Sequence, residues 1–178
     1  MGEGTELKRK RVYENPWIAV DHSEVLNPNG GEGIYGVVRF KNLAIGIIPV
    51  DESGNTYLVQ QERFPLEGRA TWEIIEGGGP LHQAAELSAH RELQEEAGLK
   101  CSQLELIQEM DLSNSATDER AMIFLARDLS RVPNSPDATE KLVVEKFSLA
   151  EAYQMVASGA IRDSLSVAGL LKLQLMGF

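Results

Sequence analysis

The chain is poor in cysteine, in positive charge and in long apolar runs, and each shortage excludes something. With one cysteine, Cys101, in 178 residues, it cannot close a disulfide on itself. That usage fits a reducing compartment, and the expected location is cytoplasmic. Lys and Arg number 17 against 27 Asp and Glu, a formal net charge of −10. A nucleic-acid or anionic-membrane partner gripped through a basic surface is therefore not expected. No apolar run approaches membrane-spanning length, and no apolar h-region follows the charged start MGEGTELKRKR. Internal repeats, low-complexity tracts and linkers are also missing. What remains is a chain of single-domain size, 43% hydrophobic, with enough apolar residues for an ordinary core.

The most informative stretch present is Gly77 to Leu99, GGGPLHQAAELSAHRELQEEAGL. It reads as a glycine turn followed by a helix from about Leu81 to Ala97. Glu92, Glu95 and Glu96 then crowd one edge of that helix, at spacings of three and four. Ala85, Ala89 and Leu93 form a separate apolar stripe for packing on a sheet. Gly98 supplies the left-handed cap. Three carboxylates so close need counter-charge, either from Arg91 or from a divalent cation. Hard oxygen ligands suit Mg²⁺, with Mn²⁺ as a substitute. Taken alone, the run could equally be a solvated acidic helix face.

Around this stretch the pattern alternates between strands and turns. Residues from Arg11 to Val25 read as two strands broken at Asn15-Pro16, because proline removes a ladder donor. Tyr35 to Phe40 and Leu43 to Val50 are strands, the second nearly all apolar and so buried on both faces. Asp51 to Asn55 turns the chain into Thr56 to Arg63. Ala70 to Ile75, Gln103 to Met110, Arg120 to Leu125 and Leu142 to Phe147 are further strands. Ser148 and Glu151 form a capping box for a helix ending at Gly159. Asp163 caps a last helix through Met176, with Leu170, Leu171, Leu173 and Leu175 as its apolar residues. The fold class is α/β, a mixed sheet with helices on its faces.

The Gly77–Leu99 stretch resembles the Nudix box, Gly-x5-Glu-x7-Arg-Glu-aliphatic-x-Glu-Glu-x-Gly-aliphatic. Gly77, Arg91, Glu92, Leu93, Glu95, Glu96, Gly98 and Leu99 fill its positions in register. The first glutamate of the box falls on Gln83, a departure; glutamine can still hydrogen-bond Arg91. The resemblance implies the Nudix α/β/α sandwich. It also implies metal binding by Glu92, Glu95, Glu96 and the backbone carbonyl of Glu76.

Upstream, Val59-Gln-Gln-Glu-Arg-Phe-Pro65 and Trp72-Glu-Ile-Ile-Glu-Gly-Gly78 resemble the signature of the ADP-ribose and nucleoside diphosphate sugar pyrophosphatase branch. In that branch the residue matching Arg63 binds phosphate or terminal ribose, and the one matching Glu73 holds the terminal sugar. Arg39, on a neighbouring strand, could join the phosphate site. The general base of the branch lies on a later loop, here 132–140, where Glu140 falls at the matching distance; Glu95 is the rival. The first forty residues exceed a core Nudix fold. By resemblance, residues 1–40 form an additional N-terminal antiparallel sheet exchanged in a homodimer, and 41–178 form the catalytic domain.

The implied activity is metal-dependent hydrolysis of nucleoside diphosphate sugars to a nucleoside monophosphate and a sugar phosphate. Ser113-Asn-Ser-Ala116, before Thr117-Asp-Glu119, lacks the proline that marks ADP-ribose specialists. ADP-ribose is therefore an expected substrate, and the preferred one is left open. The alternatives are a house-cleaning nucleoside triphosphate pyrophosphatase and a non-catalytic ADP-ribose-sensing module.

Overall fold

The computed structural model describes residues 4–133 and 142–178. Its strands, in chain order, are β1 (Thr5–Glu14), β2 (Ile18–Leu26), β3 (Glu32–Phe40), β4 (Asn42–Pro49), β5 (Asn55–Glu62), β6 (Ala70–Glu73), β7 (Ile75–Pro80), β8 (Leu99–Asp111), β9 (Arg120–Arg131) and β10 (Val143–Ser148). The helices are α1 (Ala85–Ala97), α2 (Leu149–Ser158) and α3 (Ser164–Leu175).

The strands make three sheets. The central one, ordered β7-β4-β9-β8, is mixed: β4 runs parallel to β9 and antiparallel to β7, and β8 is antiparallel to β9. A second sheet, β10-β5-β6, is antiparallel. The third, β1-β2-β3, is the additional N-terminal antiparallel sheet.

Period-two alternation on the central strands explains the layering. On β9, Phe124 and Ala126 face one apolar cluster, shared with Leu43, Ile45 and Ile47 of β4 and with Ala89 and Leu93 of α1. Their neighbours Ala121, Ile123 and Leu125 face a second cluster, shared with Ile48 of β4 and with Leu165, Leu170 and Leu173 of α3. Helices therefore cover both faces of a sheet that is apolar on both sides, which is the α/β/α sandwich. The nearly continuous apolar run of β4 has this cause.

Local signals set most element ends. Asn15 closes the break between β1 and β2, its side-chain oxygen accepting from the amides of Trp17 and Ile18, both at 2.8 Å. Ser148 and Glu151 make a complete capping box on α2, and the Asp163 carboxylate accepts from the Ser166 amide to cap α3. Gly98 ends α1 at φ 61°, a left-handed conformation in which a side chain is strained.

Two expectations are corrected here. The glycine run is not a turn: Gly77 to Gly79 lie inside β7, paired with Ile45, Ala44 and Leu43 of β4. Helix α1 accordingly begins at Ala85 rather than Leu81. The apolar stripe of α3 is also narrower than its leucines suggest. Leu170 and Leu173 are fully buried, whereas Leu171 and Leu175 are exposed.

The N-terminal sheet meets the rest along β3 and at the β1–β2 turn, where Lys41 Nζ donates to Glu14 Oε1 and to the Asn15 carbonyl, both at 2.7 Å. Val38 of β3 exchanges backbone bonds with the 113–118 loop, accepting from the Asp118 amide and donating to the Ala116 carbonyl. The Tyr35 hydroxyl donates to the Ser115 carbonyl. On its central strand Ala19, Asp21 and Ser23 are buried, whereas the outer strand is not. All of β1 is exposed, and Leu7, Val12, Tyr13, Trp17 and Ile34 are each more than half exposed. Among the described residues no helix is long and apolar enough to cross a membrane.

Leu93 is the main apolar anchor of α1, with no exposed surface. Leu93→Ala should lower the free energy of unfolding by about 2–5 kcal/mol, read from chemical denaturation.

Candidate active site

The site begins with a packing requirement. Alternate residues of a strand are about 6.6 Å apart, and helix residues four apart rise about 6 Å. Gly77 and Gly79 of β7 can therefore each receive one side chain from a helix laid alongside. A Cβ on Gly77 would sit 2.0 Å from the Glu92 carboxyl carbon, and one on Gly79 would sit 2.7 Å from the Ser88 Oγ. The missing side chains let α1 press its carboxylate edge onto the strand. Glu92 and Glu96 are 8% and 5% exposed as a result, deep burial for acids.

Arg91 answers part of this charge. Its guanidinium donates to Glu92 Oε1 at 2.6 Å, to Glu95 Oε2 at 2.6 Å and to the carbonyl of Gly78 at 2.9 Å. Gln83 is exposed in the segment before α1, and the Arg91 guanidinium is engaged by these three contacts. Burial raises the Glu92 pKa above the ordinary carboxylate value, with Arg91 opposing. Glu96 takes a long bond of 3.4 Å from the amide of Glu76.

Beside the box, Arg63 follows β5 and Glu73 ends β6. The Glu73 carboxylate, 2% exposed, accepts from Thr71 Oγ1 at 2.6 Å, Gln61 Nε2 at 3.2 Å, and Arg63 Nε and Nη2 at 3.1 and 2.8 Å. Three of these bonds converge on Oε2 and one reaches Oε1. Glu73 thereby holds the Arg63 guanidinium in place. Arg63 Nη2 also lies 3.6 Å from Glu76 Oε2.

One group of residues was invisible to sequence patterning. The Glu76 carboxyl bonds to that of Asp163 and accepts from Ser166 Oγ at 2.9 Å. Burial pushes the Glu76 pKa well up, and Asp163 adds to it. Burial works to raise Asp163 too, but bonds from Glu76 and from the Ser166 amide outweigh it and hold Asp163 below its ordinary value. A bond between two carboxyl groups requires one proton between them. Asp163 was legible only as a helix cap, and Ser166, 90 residues from its partner, carried no local signal.

The remaining sequence candidates fall elsewhere. Arg39 pairs with Asp21 at 3.4 Å and Asp118 at 3.2 Å, tying the N-terminal sheet to the 113–118 loop; no contact among the described residues brings it to Arg63. Glu140 lies outside the described residues. Among those described, no three carboxylate, histidine or cysteine side chains converge as a ready-made cation cage. The donor chemistry nevertheless suits a hard divalent cation: Glu73, Glu76, Glu92, Glu95, Glu96 and Asp163 crowd around two guanidiniums, those of Arg63 and Arg91.

Both the sequence and the fold have known relatives. The NUDIX domain family matches residues 40–165, and the nucleoside diphosphate sugar hydrolase N-terminal domain matches residues 5–38. An ADP-ribose pyrophosphatase from Mycobacterium tuberculosis is 32% identical over 172 residues, covering 93% of this chain and 80% of that protein. A methanol dehydrogenase activator from Bacillus methanolicus is 28% identical over 175 residues, 97% and 94% of the two chains. A solved structure described as an ADP compounds hydrolase superposes with a TM-score of 0.89 at 18% identity, covering 99% of this chain and 95% of that one. That likeness speaks for the fold.

Gly77→Ala tests the close approach. The added methyl would displace the Glu92 carboxyl and its bond to Arg91, so denaturation should show a loss of about 1–3 kcal/mol.

Proposed function

Because the chain belongs to the NUDIX domain family, we propose that it hydrolyses the pyrophosphate bond of nucleoside diphosphate sugars, ADP-ribose among them. The products are a nucleoside monophosphate and a sugar phosphate. One observation carries the reading: Glu92 and Glu96 are buried together against Glu76 and Gly77, at the foot of the Arg63–Glu73 pair. The match of residues 5–38 to the nucleoside diphosphate sugar hydrolase N-terminal domain and the M. tuberculosis relative named an ADP-ribose pyrophosphatase support the substrate class.

Divalent-metal dependence goes with the family; the metal proposed is Mg²⁺, with Mn²⁺ able to replace it. Glu92, Glu96, Glu95 and the backbone carbonyl of Glu76 would hold it. When bound, it supplies charge neutralisation on the diphosphate and a water of lowered pKa. The protein's own share is placement and electrostatics. Arg63 offers guanidinium N–H groups to phosphate oxygens while Glu73 fixes its plane. Arg91 neutralises Glu92 and Glu95 until substrate is present. Glu140 is the proposed general base and Glu95 its rival; Arg39 keeps a proposed, subsidiary part in substrate binding.

The open face of the N-terminal sheet, with Leu7, Val12, Tyr13, Trp17 and Ile34 exposed, supports a homodimer in which residues 1–40 form the dimerisation element. The single cysteine supports a cytoplasmic setting.

Glu96→Gln should reduce turnover of ADP-ribose by roughly two orders of magnitude with the fold intact by circular dichroism. Retained activity would contradict the assignment, and faster turnover of nucleoside triphosphates than of nucleotide sugars would redirect it. Light scattering on the eluted protein should give twice the 19.6 kDa of the chain; a monomer would remove the dimer.

A further inference from the structure

Between β6 and β7 the chain leaves one sheet and joins another. Glu73 ends β6, paired with β5, and Ile75 starts β7, paired with β4. Ile74 sits at the crossing, fully buried, and its amide donates to Ser166 Oγ at 2.9 Å. The same hydroxyl donates to Glu76 Oε1 at 2.9 Å. Ser166 is itself fully buried in the first turn of α3. Its own amide is held by Asp163 at 2.8 Å, and Asp163 is bonded to Glu76. One buried hydroxyl therefore spans the crossing, gripping the chain on both sides of Ile75.

The two sides carry different halves of the site. On the β6 side is the Arg63–Glu73 pair, and on the β7 side are Glu76, Gly77 and the α1 edge bearing Glu92 and Glu96. We propose that Ser166, seated by Asp163, is a positioning residue that fixes the distance between the phosphate-binding arginine and the metal-binding acids. The inference rests on the hydrolase reading given above. Physically, a buried amide and a buried carboxyl that lose their shared partner must find others, and the strand crossing is where they can move. Arg63 and the α1 acids would then drift relative to one another, although neither is altered.

Ser166→Ala and Asp163→Ala test this by different routes to the same clamp. Three quantities decide it: kcat and KM for ADP-ribose at saturating Mg²⁺, Mn²⁺ binding to the substrate-free protein by electron paramagnetic resonance, and the melting temperature. Supporting partners of metal ligands commonly contribute 10- to 100-fold, so in both variants kcat should fall about tenfold or more, with KM changing less and Mn²⁺ binding weakened severalfold. Melting temperatures lowered while kcat and Mn²⁺ affinity stay at wild-type values would make both residues purely structural and overturn the proposal. The two readings fail separately. A wild-type protein that does not turn over ADP-ribose removes the hydrolase, whereas an active wild type with equally active variants removes only the clamp.

Discussion

Carboxyl groups pressed together in a partly buried setting are the constraint from which the rest of this structure follows. Glu92 and Glu96 lose most of their water to β7, and Glu73, Glu76, Glu95 and Asp163 stand close by. Buried charge of one sign is costly unless it is paired or protonated, and the fold uses both remedies. Arg63 and Arg91 pair with Glu73, Glu92 and Glu95. Glu76 and Asp163 share a proton instead. These two remedies leave the region rich in oxygen ligands, the setting a hard divalent cation requires.

The backbone is shaped to allow this crowding. Two alternate glycines on β7 admit two side chains from successive turns of α1, so helix and strand touch more closely than ordinary residues permit. The cluster of Phe124, Ile45, Ile47 and Leu93 holds the helix down from beneath. On the opposite face, α3 contributes apolar packing and the buried Ser166 hydroxyl, so both helical layers bear on the same stretch of chain. The acid cluster is thus sustained by apolar burial at a distance from it.

Much of this was legible in the sequence, and the reason is local. The caps at Gly98, Ser148 and Asp163, the break at Asn15-Pro16 and the all-apolar β4 each express physics within a few residues. The box spacing likewise placed Glu92, Leu93, Glu95 and Glu96 on their helix. What escaped depends on partners far along the chain. Glycines read as a turn are a strand because they pair with β4, and Ala70 to Ile75 is split at Ile74, whose amide donates to Ser166. The bonds that Glu73 takes from Thr71, Gln61 and Arg63 are an arrangement no spacing rule contains. Arg91 joins Glu92, Glu95 and the Gly78 carbonyl, the last of these 13 residues away.

The central claim is that the acids along α1 exist to bring a divalent cation onto a pyrophosphate. It is tested most directly by a crystal structure with Mn²⁺ and a non-hydrolysable ADP-ribose analogue, using the anomalous signal of the metal. The account predicts an anomalous peak within coordination distance of the Glu92 and Glu96 carboxylates and of a diphosphate oxygen, with Arg63 on the same diphosphate. An analogue bound at full occupancy with no metal peak beside these side chains would contradict it.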